Sequence, residues 1–209
     1  MTRALLSPSL AFLSLAAVLV GGCPDPEARL DEFLESSKAE RDLPPPKDDL
    51  GSTLADVSGT FLFALDPVIN PGLPLQFFCT TTLTPDGAGG GILTMNMQPL
   101  SLDKGSTTMP RQPVGEALLI ENIMVSPEGA FSLDLGEVMV IGAANPITGS
   151  DIVATLTVEG FIQDENFFCG KANGMLIAPF EISLDNSTFG ASRVDSIDAL
   201  PEMFPLKCP

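Results

Sequence analysis

From about residue 57 onward, apolar and polar side chains alternate along the chain with a period of two. Between Leu75 and Leu83, every second residue can face one side of a strand, while Gln76, Thr80 and Thr82 face the other. Four further runs alternate in the same way. The residues that share one side of each run are Leu93, Met95 and Met97; Phe131, Leu133 and Leu135; Ile152, Ala154, Leu156 and Val158; and Leu176, Ala178, Phe180, Ile182 and Leu184. This pattern predicts antiparallel strands with one face in a core and the other in water.

Turn-forming residues separate these runs at 85–87, 127–129, 145–149 and 185–186. Their spacing predicts roughly nine short strands, and no long helical pattern lies between them. The body of the chain is therefore expected to be all-β. We predict an antiparallel β-sandwich, with a small closed β-barrel as the alternative, since the two share the same pattern.

The N-terminus has the organisation of a secretory signal. Arg3 is the only charged side chain before residue 25, and an apolar run follows at 10–20. That run is shorter than the roughly 20 residues a membrane-spanning helix needs. It ends in Val20-Gly21-Gly22-Cys23, which resembles the lipobox of bacterial lipoproteins. The resemblance implies a signal peptide at 1–22 and lipid attachment at Cys23.

Residues 23–56 are predicted to be a lipidated, acidic and proline-rich tether, followed by the β-sandwich domain at 57–209. Leu30, Phe33 and Leu34 have helical spacing, and three prolines at 44–46 indicate a stiff spacer. Pro24 stands where an Asp often retains lipoproteins at the inner membrane. The resemblance thus implies an exported protein held at the outer membrane, with a β-rich body similar to that of uncharacterised bacterial lipoproteins.

Composition narrows the chemistry. The chain carries 27 acidic against 10 basic residues, a net charge of −17, which disfavours binding to nucleic acid. It contains no His, Trp or Tyr. Catalytic Ser-His-Asp and Cys-His sets are therefore excluded, as are His-ligated metal sites. We expect no enzymatic activity, no cofactor and no metal.

With Cys23 lipidated, three cysteines remain, and an oxidising compartment favours one disulfide among them. We predict Cys169–Cys208, which would fix the C-terminal tail, with Cys79 as an alternative partner of Cys169. The tripeptide Phe-Phe-Cys occurs at 77–79 and again at 167–169, with flanking residues that do not match.

Other motifs are weaker. Oxygen-rich turns at 145–151 and 163–166 could supply calcium ligands, but neither matches a known calcium loop, and we interpret both as solvated turns. Ser101 and Lys104 have the Ser-x-x-Lys spacing of penicillin-binding enzymes, yet Pro99 and Gly105 flank them and no helical pattern surrounds them. We interpret this spacing as chance.

These observations favour a membrane-anchored envelope lipoprotein that acts without catalysis, as a structural or accessory subunit of a surface assembly. Its expected partners are the membrane, through the lipid on Cys23, and an envelope protein. One alternative is a small-ligand or calcium-binding module that uses loops at one end of the sandwich. A second alternative is an unrecognised hydrolase that uses Asp or Glu side chains.

Overall fold

The computed structural model describes residues 54–209, together with Arg29, Leu30 and Phe33, which are helical. The predicted signal peptide, Cys23 and most of the predicted tether lie outside these residues. The 54–209 body is all-β, apart from short 3₁₀ turns at Gly142–Ala144 and Ile197–Ala199. Its strands are β1 (Gly59–Asp66), β2 (Leu75–Pro85), β3 (Gly91–Leu102), β4 (Pro110–Pro113), β5 (Leu118–Val125), β6 (Ala130–Val140), β7 (Ile152–Asp164), β8 (Phe167–Ala178), β9 (Ile182–Ser183) and β10 (Ser187–Arg193). Among the described residues, we find no helical segment with the length and hydropathy of a membrane span.

Eight of these strands form a closed antiparallel barrel. They follow one another around it in chain order, β1-β2-β3-β5-β6-β7-β8-β10. The circle closes where β10 pairs with both β8 and β1. The two short strands lie off this path, β4 paired with β3 and β9 with β8. The body is thus an up-and-down barrel, the alternative predicted from the sequence.

The predicted sandwich is wrong because the two ends of the sheet pair with each other. Phe61 of β1 lies opposite Arg193 of β10, and Phe189 of β10 lies opposite Gly170 of β8. Every barrel strand therefore has two neighbours, and no second sheet is needed to cover the apolar face. The run predicted from Leu176 to Leu184 is also not one strand. It breaks after Ala178, where Pro179 cannot donate a backbone hydrogen bond.

One end of the barrel interior is filled by phenylalanine rings. Phe61 and Phe168 have ring centroids 5.0 Å apart, and Phe63 stacks on Phe189 at 4.8 Å. Phe131 meets Phe168 edge-on at 6.1 Å. These rings fit because glycines lie beneath them. A Cβ atom at position 160 would collide with the Phe131 ring, and one at position 170 with the Phe189 ring.

The outer face of β1 to β3 has a second, smaller core. Leu62, Leu100 and Val194 are buried there, and the C-terminal tail adds Leu200 and Phe204. A disulfide between Cys169 and Cys208 closes the tail onto the barrel.

The tail also depends on two other close contacts. Its backbone passes directly over Gly190, where a Cβ atom would collide with the carbonyl oxygen of Pro205. The guanidinium of Arg111 donates hydrogen bonds of 2.7 Å to the carbonyl oxygens of Pro201 and Thr107, and it lies over the Phe204 ring. The last residues of the chain are therefore part of the folded body.

Candidate functional site

The other end of the barrel contains an apolar cavity of about 550 Å³. Residues of β1, β2, β3, β5, β6 and β7 line it, and the rings of Phe63 and Phe131 are among them. Cavities that hold small ligands occupy roughly 300–1,000 Å³ and are mostly apolar. An eight-stranded barrel has an interior of the size that admits one small ligand when side chains do not fill it.

The cavity lies beside the boundary between β5 and β6, which we call the seam. These strands share one registered pair, Val125 with Phe131, next to the tight turn that joins them. Beyond it, β5 stays paired with β3 as far as Leu118, and β6 stays paired with β7 as far as Val140. The facing edges of β5 and β6 thus have no ladder between them over most of their length. Both edges line the cavity.

Bulges on both strands accompany the seam. Asn122 of β5 has a φ of 61° at a register shift against β3. Gly136 of β6 has a φ of 58°, where two residues of β6 oppose Leu156 of β7. Bulges bend a strand and increase its twist. Because each bulge lies within a strand that flanks the seam, we infer that the two bulges turn β5 and β6 away from each other.

Burial of the inward-facing side chains changes across the barrel. On β1, Phe61 and Phe63 are 0% and 4% exposed. Beside the seam, Ile120, Leu133 and Val138 also contact the core but are only partly buried. Apolar side chains that face inward yet keep contact with solvent indicate that the cavity opens at the seam.

Among the residues that the structure describes, two charged side chains line the cavity, Glu116 and Glu137. Glu116 lies in the segment just before β5. A Cβ atom on its neighbour Gly115 would come within 3.2 Å of Ile141, which follows β6. Glu137 lies in β6 itself, beside Val138, and it also borders the cavity. Both residues are exposed, so the mouth of the cavity carries negative charge.

Exposed apolar side chains surround this same end of the barrel on its outer surface. Phe180 is 71% exposed and Met139 is 68% exposed. We call this group the apolar rim, and it comprises Val68, Ile69, Leu119, Met139, Met175, Ile177, Phe180 and Ile182. Clustered exposed apolar residues mark interaction surfaces more often than scattered ones do.

The three cysteines of the described residues pair as the leading prediction had it. Cys169 and Cys208 form the disulfide, with Cα atoms 5.3 Å apart. Cys79 is a fully buried free thiol inside the barrel. Burial away from water raises the pKa of the Cys79 thiol, so it stays protonated and unreactive in the folded protein.

The oxygen-rich turns use their oxygens within the fold. The Asn145 side chain accepts from the backbone N–H of Ile147 and donates to Thr148. Asp151 accepts from the N–H of Gly142, and Asp164 accepts from the N–H of Asn166. Among the described residues, no group of three or more Cys, Asp or Glu side chains is arranged to hold a metal ion.

The structure does not give the Ser-x-x-Lys spacing its helical geometry. Ser101 lies in β3, where its hydroxyl accepts a hydrogen bond from the N–H of Gln112. Lys104 lies in the turn that follows the strand. The two side chains therefore do not share one face of a helix.

Together, these features define a class: an eight-stranded up-and-down barrel with a ligand-sized apolar cavity open at one end. Searches against protein-family models, curated proteins and solved structures found no match for this chain. The cavity could not be predicted from the sequence, since the alternation that predicts inward-facing residues is the same for a filled barrel as for a hollow one.

Proposed function

We propose that the barrel binds a small apolar molecule in its cavity and acts without catalysis. The observation that carries this proposal is the cavity of about 550 Å³ itself. Protein interiors pack like organic crystals, with few voids larger than a water molecule. If a void of this size held no ligand, the lost contacts would lower stability. A ligand that fills it would restore those contacts.

The test uses N-phenyl-1-naphthylamine, an uncharged apolar dye whose fluorescence rises in an apolar environment. The chain has no Trp or Tyr, so a single introduced Trp can fill the cavity and also report on it. Leu156 is buried and lines the cavity, whereas Thr157 is exposed on the opposite face of β7. Leu156→Trp fills the cavity, and Thr157→Trp is the matched control.

We expect saturable, one-site dye binding by the wild type and by Thr157→Trp, and at least tenfold weaker binding by Leu156→Trp. Dye at about 100 times its dissociation constant should also stabilise the wild type by about 2.7 kcal/mol in thermal melts. Far-UV circular dichroism checks that both variants are folded. Absence of wild-type binding, or equal binding by the two folded variants, would refute the proposal.

We further propose that the protein is an exported lipoprotein, anchored through Cys23 to the outer membrane. The supporting observation is the Val20-Gly21-Gly22-Cys23 sequence after an apolar run. In producing cells, Cys23→Ser should abolish incorporation of a clickable palmitate analogue and move the protein from the detergent phase to the aqueous phase in phase separation. Cys79→Ser, which keeps Cys23, is the control. Labelling that survives in Cys23→Ser would refute the anchor.

A second candidate function is that of an accessory subunit in an envelope assembly, and the apolar rim favours it. In intact cells, crosslinking followed by mass spectrometry should recover the same neighbour repeatedly. The double variant Leu119→Ser/Phe180→Ser, which changes two rim residues outside the cavity lining, should lose that neighbour. Met124→Ser, which is 64% exposed at the opposite end of the barrel, should keep it. A neighbour that persists in the rim variant would count against this function.

A further inference from the structure

The charge of the cavity mouth deepens the proposed binding function, on which this inference rests. Within the described part of the chain, its charged lining residues are Glu116 and Glu137. The basic side chains of the 54–209 body all lie outside the lining, namely Lys104, Arg111, Lys171, Arg193 and Lys207. A ligand head at the mouth would therefore meet two carboxylates and no cation of the lining.

The interior selects the other part of the ligand. Apart from these two glutamates, the lining consists of apolar residues and the glycine at 115. A charged head could not move into this region, because burying an unpaired charge costs far more than apolar contacts return. The tail of an amphiphile would therefore occupy the cavity, and its head would stay at the mouth between the start of β5 and the end of β6.

We propose that the cavity binds cationic amphiphiles, with the apolar tail inside the barrel and the cationic head beside Glu116 and Glu137. Amphiphiles of the same length with an uncharged head bind more weakly. Those with a carboxylate head bind weakest, because the two glutamates repel them. The net charge of −17 adds a long-range contribution of the same sign, and controls must separate this contribution from the local one.

The experiment compares three ligands with the same twelve-carbon chain: dodecylamine, dodecanol and dodecanoate. Each displaces N-phenyl-1-naphthylamine from the wild-type protein at neutral pH, at low ionic strength and below its aggregation threshold. We expect dodecylamine to bind about tenfold or more tightly than dodecanoate, with dodecanol between them. Added salt should reduce the difference in affinity between dodecylamine and dodecanoate, because it screens the charges.

Two double variants locate the source of the preference. Glu116→Gln/Glu137→Gln removes the mouth charges, and Glu121→Gln/Glu159→Gln removes two exposed charges outside the lining. Both double variants change the net charge equally. We expect the first to bring the affinities for dodecylamine and dodecanoate within about threefold of each other, and the second to keep most of the tenfold difference.

The possible outcomes distinguish a failure of the cationic preference from a failure of the proposed binding function. If the dye binds but the amine and the carboxylate compete equally, the cationic preference is wrong and the binding function stands. If both double variants reduce the preference for dodecylamine over dodecanoate equally, the preference comes from the net charge of the protein, and the assignment to Glu116 and Glu137 is wrong. If neither the dye nor any of the three ligands binds, the binding function itself fails.

Discussion

Opening the disulfide should release the C-terminal tail and destabilise the whole barrel. Cys169 and Cys208 are 39 residues apart in the chain, and the loop they close includes β10, which completes the barrel. In the chain-entropy account, a crosslink with this loop length restricts the unfolded state by about 4 kcal/mol at room temperature. We therefore expect the variant Cys169→Ala/Cys208→Ala to lose about 2–4 kcal/mol of unfolding free energy.

Equilibrium denaturation followed by far-UV circular dichroism measures this loss, since the chain has no Trp or Tyr for intrinsic fluorescence. Wild-type protein in reductant is the control, and it should unfold near the midpoint of the double variant. Hydrogen exchange should speed up in residues 194–209, while β2 and β3 stay protected. A loss below about 1 kcal/mol, or a tail that keeps its protection, would refute the view that the disulfide holds the tail and β10 in place.

Three further changes test other parts of the fold. Burial raises the pKa of the Cys79 thiol, so the unfolded chain releases this proton at a lower pH than the folded protein does. The stability that the neutral thiol contributes is therefore fully present below the unfolded pKa of about 8.5 and is lost as pH rises above it. Wild-type stability should thus fall above pH 9 by about 1.4 kcal/mol per unit more than that of Cys79→Ala, in denaturation at several pH values. Gly160→Ala should push the Phe131 ring into the cavity, lower stability by about 1–3 kcal/mol and weaken dye binding, and unchanged dye affinity would contradict this. Arg111→Lys should lower stability by about 1–3 kcal/mol and speed hydrogen exchange in the tail, because an ammonium cannot reach both Thr107 and Pro201. Unchanged exchange there would contradict the anchoring role of Arg111.

Strand faces could be predicted from the sequence where local alternation decides them. The positions assigned to one side of β2, β3 and β7 do face the interior, from Leu75, Leu93 and Ala154 onward. Closure could not be predicted, because the pairing of β10 with β1 joins residues more than 100 positions apart. Alternation fixes which face of a strand is buried, but it does not identify the neighbour across the sheet.

The two Phe-Phe-Cys tripeptides show why the cysteine pairing stayed open at the level of sequence. In β2, Phe77 and Cys79 face the interior, and Phe78 packs in the outer cluster. In β8 the register is reversed. Phe168 faces the interior, and Cys169 is directed outward to Cys208. The same three residues thus give one inert thiol and one disulfide, because a shift of one residue exchanges the two faces of a strand.

The cavity arises from pairing that is missing, and this is why residue patterns do not reveal it. The inward-facing residues of β6 continue past the Gly136 bulge at Val138 and Val140, so the wall keeps its apolar face. What changes is the pairing between β5 and β6, which is limited to Val125 and Phe131, and each of the two strands carries a bulge, at Asn122 and Gly136. A continuous β5–β6 ladder would add hydrogen bonds and close the mouth. Leaving two strand edges without a ladder lowers stability, and a local loss of stability of this kind is typical of functional sites in proteins.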